Sequence, residues 1–255
     1  MKIPKNVFES KGIAFIEKFP YQEISKVSKN KKRHYETPDG RQVPSVTTVL
    51  SATKDMTHLN AWKKRVGEQK AQQIATESAN IGTVMHRSLE KHVKGEDRTP
   101  GSNLIQQKAH AMANVIIENG LKDVSEVWGS EVSLYYPELY AGTTDLVGIY
   151  KDQPFIGDFK QARKLKKKEW VEDYYLQIAA YAMAHDYVHG SKIRQGVIMM
   201  CTPDLYYQEF RITDHELRSY KHKFLKRLDM YHDLIFDEKE KADVKIEAGD
   251  FTRNK

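Results

Sequence analysis

The chain has 255 residues, 40% of them hydrophobic, so it is long enough and apolar enough to fold around a core rather than stay disordered. We expect neither a membrane span nor secretion, because there is no apolar run of about eighteen residues and no apolar segment behind Met1–Lys5. The net charge of +6 and the pI of about 9.1 suit a polyanionic partner such as nucleic acid, with a merely solvated basic surface as the alternative.

Cysteine usage narrows the class further. Cys201 is the single cysteine, which excludes an intramolecular disulfide framework and any zinc or iron–sulfur site built from several cysteines. A reducing cytoplasm is therefore the expected compartment. No internal repeat or low-complexity linker interrupts the sequence, so a single domain over residues 1–255 is predicted.

The first half of the chain predicts a hairpin followed by helices. Pro38-Asp39-Gly40 is a turn signal between an extended segment that starts at His34 and the β-branched segment Val43–Leu50. That second segment is either a strand or a strand that runs into a helix. Helices are then predicted over residues 57–66, 68–93 with a break near Gly82, and 103–119, with a loop over 94–101.

The second half predicts strands with intervening helices. Strands are expected over residues 127–136, 140–150, 154–159, 193–201 and 205–212. Helices are expected over residues 168–189 and from Thr213, where Thr213-Asp214-His215-Glu216 is a capping-box pattern, with a charged tail after Asp237. This order predicts an α+β or mixed α/β fold with a central sheet flanked by helices.

Residues 140–160 carry the informative chemistry. Asp158 and Lys160 are two apart on a strand, so they project from the same face of the sheet. A two-residue turn before this strand would put Asp145 opposite Asp158, and a four-residue turn would put it opposite Lys160. A three-residue turn would offset the pairing and weaken the argument.

Two neighbouring carboxylates repel each other, and burial increases the repulsion, so this cluster needs compensation. A divalent cation such as Mg²⁺ supplies it, and Lys160 can then orient the attacking water or stabilise the charged transition state of phosphoryl transfer. The alternative is a solvent-facing Asp–Lys pair on an edge strand. The apolar residues around Asp158, such as Phe155, Ile156 and Phe159, indicate a buried sheet instead.

The motifs of this region resemble a known nuclease group. Gly142-Thr143-Thr144-Asp145, Gly157-Asp158-Phe159-Lys160 and Gln177-Ile178-Ala179-Ala180-Tyr181 resemble the RecB-like branch of the PD-(D/E)xK nuclease superfamily, in which Asp commonly replaces Glu before x-Lys. Pro44–Leu50, Trp62 and Gly82-Thr83-x-x-His86 are similar to one subgroup, the mitochondrial genome maintenance exonuclease and its bacteriophage relatives. The resemblance covers residues 35–185.

The resemblance implies a restriction-endonuclease-like core with an N-terminal helical addition. In this division, residues 1–125 form the hairpin and helices that carry His86, residues 126–212 form the catalytic sheet core, and residues 213–255 form the C-terminal helix and tail. Some relatives hold an iron–sulfur cluster with four cysteines, which the single cysteine of this chain excludes. The absence of a transit peptide suits a phage or bacterial protein.

The resemblance also implies a role for each site residue. The metal ligands for Mg²⁺ or Mn²⁺ would be His86, Asp145, Asp158 and the backbone carbonyl of Phe159. Glu131, which opens the strand before Asp145, is a further candidate, either as an additional metal ligand or as a group that supports the ligands. Lys160 would be the catalytic base or the group that orients water. Gln177 and Tyr181 are four apart on a helix and would brace the site or touch DNA. Without the resemblance, a lone helical histidine and an amphipathic helix face are more simply structural.

Two basic segments are candidates for DNA contacts, although most charge runs are only solvated. The first follows Lys160 and contains Arg163, Lys164, Lys166, Lys167 and Lys168. The second contains Lys63 and Lys64, with Arg65 and Lys70 beside them. Trp62, Tyr174 and Tyr175 are candidates for stacking on bases, while a core position is the more ordinary expectation for Trp62.

The expected activity is that of a Mg²⁺-dependent DNA exonuclease that acts on single-stranded DNA or strand ends, in replication, recombination or degradation. A structure-specific or restriction-type endonuclease of the same superfamily is the first alternative. A non-catalytic nucleic-acid-binding module is the second, and the intact Asp, Asp-x-Lys and Gln-x-x-x-Tyr set argues against it. Cleavage polarity and protein partners do not follow from the sequence.

Overall fold

The computed structural model describes the backbone of residues 13–250 and the side chains of residues 13–237, so the N-terminal segment interpreted above lies outside it. The strands are β1 (Ala14–Phe15), β2 (Ser25–Lys29), β3 (Lys32–Glu36), β4 (Gln42–Pro44), β5 (Val124–Tyr136), β6 (Tyr140–Tyr150), β7 (Gln153–Gln161), β8 (Gln195–Cys201) and β9 (Tyr207–Thr213). The helices are α1 (Val46–Ala52), α2 (Thr57–Val66), α3 (Glu68–Val93), α4 (Leu104–Asn119), α5 (Glu172–His189) and α6 (Asp214–Asp250).

A six-stranded mixed sheet forms the centre of the fold, in the order β1-β5-β6-β7-β8-β9. β5, β6 and β7 are antiparallel neighbours, whereas β7 and β8 run parallel and are connected by α5. β1 pairs in parallel with β5, and β9 returns antiparallel to β8. The predicted central mixed sheet flanked by helices is confirmed.

Helices cover both faces of this sheet, because alternate residues along each strand enter opposite cores. On one face, Ile156 of β7 packs with Ile178 of α5 and with residues of α1 and α6. On the other face, Phe155 of β7 packs with Met85 of α3 and Met112 of α4. The sheet is therefore buried between two layers, which explains why its strands are apolar on both faces.

The N-terminal hairpin leads directly into a helix. β2, β3 and β4 form a small antiparallel sheet, and the Pro38-Asp39-Gly40 turn joins β3 to β4 as predicted. Of the two interpretations of Val43–Leu50, a strand running into a helix is the one observed. Ser45 caps α1 by accepting a hydrogen bond from the Thr48 N–H at 3.0 Å.

Several local expectations were wrong. α3 continues through Gly82 without a break, since the helix tolerates a glycine that has open space around it. The helix predicted from Lys168 begins as a 3₁₀ turn, Lys168–Val171, before α5. α6 continues to Asp250, so the charged stretch after Asp237 is helical that far.

The surface of α2 also departs from expectation. None of its residues is buried, so Trp62 is not a core residue. The core position was predicted because Trp62 is apolar and shares a helix side with Leu59. In the fold that side is exposed or only half-buried. In the described part of the chain, no helix combines the length and the hydropathy that crossing a bilayer requires.

Candidate metal centre

The hairpin of β6 and β7 has the shorter of the two turns that keep the acidic residues together. Lys151 and Asp152 form a two-residue turn with φ of +44° and +61°, as type I′ hairpin turns require. Tyr150 pairs with Gln153, and the same register ends at the pair Leu146–Gly157. Asp145 and Asp158 are the next residues in this register, so the two-residue interpretation is the one observed.

Three side chains from different elements converge beside this end of the hairpin. His86 projects from α3, Glu131 from β5 and Asp145 from β6, and one ligand atom of each lies within 4.8 Å of the others. His86 Nδ1 lies 3.4 Å from Asp145 Oδ1 and 3.9 Å from Glu131 Oε1. These three residues could hold a metal ion.

The backbone of Glu131 has an unusual conformation that accompanies its place in the cluster. Its φ of +53° lies in the left-handed region, which costs a non-glycine residue about 1–2 kcal/mol. On either side of it, Ser130 pairs with Leu146 and Val132 pairs with Thr144, so Glu131 sits across from Asp145. Strand sequence gives no signal for this conformation.

The buried Asp158 forms an ion pair with the partly buried Lys160 next to these three residues. Lys160 Nζ donates to Asp158 Oδ1 at 2.6 Å, and Gln177 Nε2 donates to the same oxygen at 3.3 Å. Asp158 is 2% exposed, so the pair is not the solvent-facing edge pair of the alternative interpretation. Gln177 and Tyr181 were predicted to brace the site, and Gln177 Nε2 also lies 3.5 Å from the Tyr181 hydroxyl.

Two backbone features hold the acidic strands in place. The Phe159 N–H donates to Asp145 Oδ2 at 2.6 Å, which orients the carboxylate toward His86. Gly142 is needed for close packing, because a Cβ there would lie 2.6 Å from Cε1 of the Tyr181 ring. The described contacts of Phe159 involve its N–H and its ring, and its carbonyl as a metal ligand stays a prediction.

The titratable groups of this cluster shift one another's pKa. Burial alone would lower the pKa of His86, but Asp145 and Glu131 outweigh it and raise that pKa to about 10. Burial raises the pKa of Asp158, with Asp145 adding to the effect and Lys160 opposing it. Burial also acts to raise the pKa of Asp145, but His86 and Lys160 outweigh it, and the pKa falls below its usual range.

The net negative charge of the cluster favours the binding of a cation. Glu131, Asp145 and Asp158 supply three carboxylates, and Lys160 and a protonated His86 supply two positive charges. A divalent cation that displaces the His86 proton would neutralise the remainder. One imidazole nitrogen with several carboxylate oxygens fits Mn²⁺, and Mg²⁺ if waters complete its coordination.

The predicted basic segments lie on the surface with different partners. Arg163, Lys164 and Lys167 are exposed, whereas Lys166 is half-buried and Lys168 pairs with Glu216 at 2.7 Å. Lys63 and Lys64 lie on the exposed α2.

The aromatic candidates for base stacking separate into a partly accessible and a buried residue. Tyr174 is half-buried, and Lys160 Nζ lies 5.1 Å from its ring centroid. Tyr175 is 1% exposed and packs against Tyr220, so its prediction as a base-stacking residue was wrong. Tyr174 and Tyr175 are adjacent on one helix and point to different sides, which their sequence alone does not separate. Trp170 is 61% exposed, and it was not among the residues predicted to stack on bases.

Comparison with known proteins gives limited similarity. The sequence matches no protein-family model and no curated protein. Among solved structures, the chain is similar to a protein from Eubacterium rectale provisionally named an exonuclease, with 16% identity and a TM-score of 0.47 over 63% of this chain and 66%, just under two thirds, of that one. It is also similar to the protein SSO0001, with 16% identity and a TM-score of 0.36 over 67% and 68% of the two chains. Neither likeness is close enough to assign an activity.

Proposed function

We propose that the chain is a metal-dependent deoxyribonuclease that hydrolyses phosphodiester bonds. The carrying observation is the convergence of His86, Glu131 and Asp145 beside the buried Asp158–Lys160 pair. Buried carboxylates that exceed their cationic partners favour a metal, and a lysine next to them suits a phosphoryl-transfer centre. The motif resemblance described above supports the same reaction.

Four side chains would hold the metal ion. His86, Glu131, Asp145 and Asp158 would hold the cation, which supplies Lewis-acid stabilisation of phosphate oxygens and lowers the pKa of a bound water. Asp145 and Glu131 outweigh burial and raise the pKa of His86 in the metal-free protein, so metal binding would release the proton of His86.

Lys160 would act as a charged group rather than as a base. Burial opposes its charge, but Asp158 and Asp145 outweigh burial and raise the pKa of Lys160. A protonated lysine can orient the attacking water and stabilise negative charge on the phosphate as the bond breaks. Gln177 would keep Asp158 in position through its 3.3 Å hydrogen bond.

Exonuclease action on single-stranded DNA or strand ends is the specific activity we propose, and the resemblance to one nuclease subgroup supports it. The test is degradation of linear and circular single-stranded DNA, with the linear strand labelled at either end. Each reaction is run with Mn²⁺, with Mg²⁺ and with EDTA. An exonuclease degrades the linear strand, spares the circle and is inactive in EDTA.

Two variants make this test specific. Lys160→Met should abolish cleavage, whereas Lys151→Met, a lysine at the other end of the same hairpin, should retain it. Cleavage of the circle would indicate an endonuclease instead. Undiminished cleavage by Lys160→Met, or cleavage that persists in EDTA, would refute the proposed site.

A further inference from the structure

An exposed tryptophan lies on the segment that connects the candidate metal centre to α5. Trp170 belongs to the 3₁₀ turn Lys168–Val171 and is 61% exposed. Single exposed apolar side chains are common, so exposure alone identifies nothing. Its neighbours are what distinguish this one.

Two lysine–aromatic contacts lie on the part of the chain that runs from the metal centre to this ring. Lys160 Nζ lies 5.1 Å from the Tyr174 ring centroid, and Tyr174 follows Trp170 by about one helical turn. On the outer side, Lys167 Nζ lies 5.6 Å from the Trp170 ring centroid. Each of the two aromatic rings therefore has a lysine ammonium over it, one at the metal centre and one at the surface.

The segment that carries Trp170 is held in place. Gln208 of β9 accepts a hydrogen bond from the Lys166 N–H at 2.7 Å and donates one to the Lys166 carbonyl at 3.0 Å. The Trp170 N–H donates to the Lys167 carbonyl at 3.0 Å. A platform fixed in this way loses little conformational entropy when a ligand stacks on it.

The charges around Trp170 suit a phosphate backbone. Arg163 and Lys164 are exposed, and among the described residues neither takes part in an ion pair. Lys168, in contrast, is paired with Glu216. The segment from β7 to Trp170 thus carries three exposed cationic side chains outside the ion pairs of the described residues, those of Arg163, Lys164 and Lys167, and Lys167 Nζ lies near the ring.

We infer that Trp170 stacks on an unpaired base of single-stranded DNA, while Arg163, Lys164 and Lys167 contact the phosphates of the same strand. Aromatic stacking requires a base whose face is free, which the interior of a duplex does not offer. Trp170 thereby positions the strand and favours single strands over duplexes. The assignment of DNA as the ligand rests on the proposed function.

The test measures binding separately from cleavage. Anisotropy of fluorescein-labelled oligothymidylate is recorded in EDTA, where the proposed reaction cannot occur, for wild type, Trp170→Ala and Trp170→Phe. Trp170→Ala should weaken binding by about tenfold, and Trp170→Phe should retain most of the affinity because it keeps a ring. Tyr187→Ala is the matched control, since Tyr187 is 60% exposed near the far end of α5, and it should bind as wild type does.

A duplex of the same length and a small substrate complete the design. Trp170→Ala should leave duplex affinity unchanged, and wild type should cleave bis(p-nitrophenyl) phosphate with Mn²⁺. If Trp170→Ala binds oligothymidylate as wild type does, or weakens duplex binding equally, the inference is overturned. If wild type cleaves no substrate, the proposed nuclease activity fails, while binding in EDTA still decides the role of Trp170.

Discussion

Two regions of the molecule bury titratable groups, and they balance charge in opposite ways. One is the candidate metal centre, defined as His86, Glu131, Asp145, Asp158 and Lys160. The other, the His185 network, consists of Tyr21, His185, Asp186, Ser191 and Lys221.

In the His185 network each polar group meets a complementary partner. Ser191 donates to Asp186 at 2.8 Å, so it accepts from His185 Nδ1 at 2.6 Å, and His185 Nε2 in turn accepts from the Tyr21 hydroxyl at 2.9 Å. Lys221 donates to Asp186 at 2.9 Å and balances its charge. The network holds α5 to the loop between β1 and β2 and to α6.

In the metal centre, by contrast, the three carboxylates outnumber the cations even when His86 is protonated. Burial lowers the pKa of His185 to about 3 and keeps it neutral, whereas the carboxylates around His86 raise its pKa to about 10. A network in which every polar group has a partner stabilises the fold. Surplus negative charge, in contrast, indicates a site that binds a cation.

The largest expected effect separates activity from stability. Asp158→Asn removes a ligand charge at constant shape, and we expect metal-dependent cleavage to fall by about 10³-fold. The melting temperature without metal should hold or rise, since a buried like charge beside Asp145 is removed. The control is Asp152→Asn in the exposed turn of the same hairpin. A variant that loses both activity and stability would mean that Asp158 is structural.

The opposite outcome is expected in the closed network. Asp186→Ala removes the acceptor of Ser191, of the Ile193 N–H and of Lys221, and should lower the free energy of unfolding by about 2–3 kcal/mol. Nuclease activity of the folded fraction should be unchanged. Denaturant unfolding measures the first and a cleavage assay the second, with Asp229→Ala on the exposed side of α6 as control. Equal unfolding curves would show that the network contributes little.

The pH dependence of stability should report His185. Its folded pKa, about 3, lies below the unfolded value, so its stabilisation is present above about pH 6.5 and lost as the pH falls. Relative to His185→Gln, wild type should lose up to about 1.4 kcal/mol of unfolding free energy per pH unit below that point. His189 is present in both proteins, so its contribution cancels. Parallel pH profiles for the two proteins would contradict a neutral buried His185.

The smallest expected effect concerns the backbone of Glu131. Glycine adopts positive φ without penalty, so Glu131→Gly should be more stable than Glu131→Ala by about 1 kcal/mol without metal. Both variants lose the carboxylate and should lose the stabilisation that Mn²⁺ provides to wild type in thermal unfolding. If alanine is as stable as glycine, the φ of +53° carries no strain.

Much of the site follows from local sequence rules. Strand alternation places Asp158 and Lys160 together, and helical spacing places Gln177 and Tyr181 together, because both periods are set by the backbone itself. Besides the errors in element boundaries described above, two errors concern the surroundings of a residue. Tyr175 is buried and Trp62 is not, since exposure depends on which other elements pack there.

Sequence patterns predicted the central sheet with its flanking helices and the common face of Asp158 and Lys160, and they left a two-residue turn as one of the possible turns. Only the tertiary structure decided that turn, brought His86 of α3 within 3.4 Å of Asp145, and placed Glu131 in a left-handed conformation across from it. The difference lies in the sequence distance over which each interaction acts. The alternation of side chains along a strand and the capping of a helix involve residues close in sequence. The charge balance of the metal centre depends on side chains that only the packing of α3 on the sheet brings together.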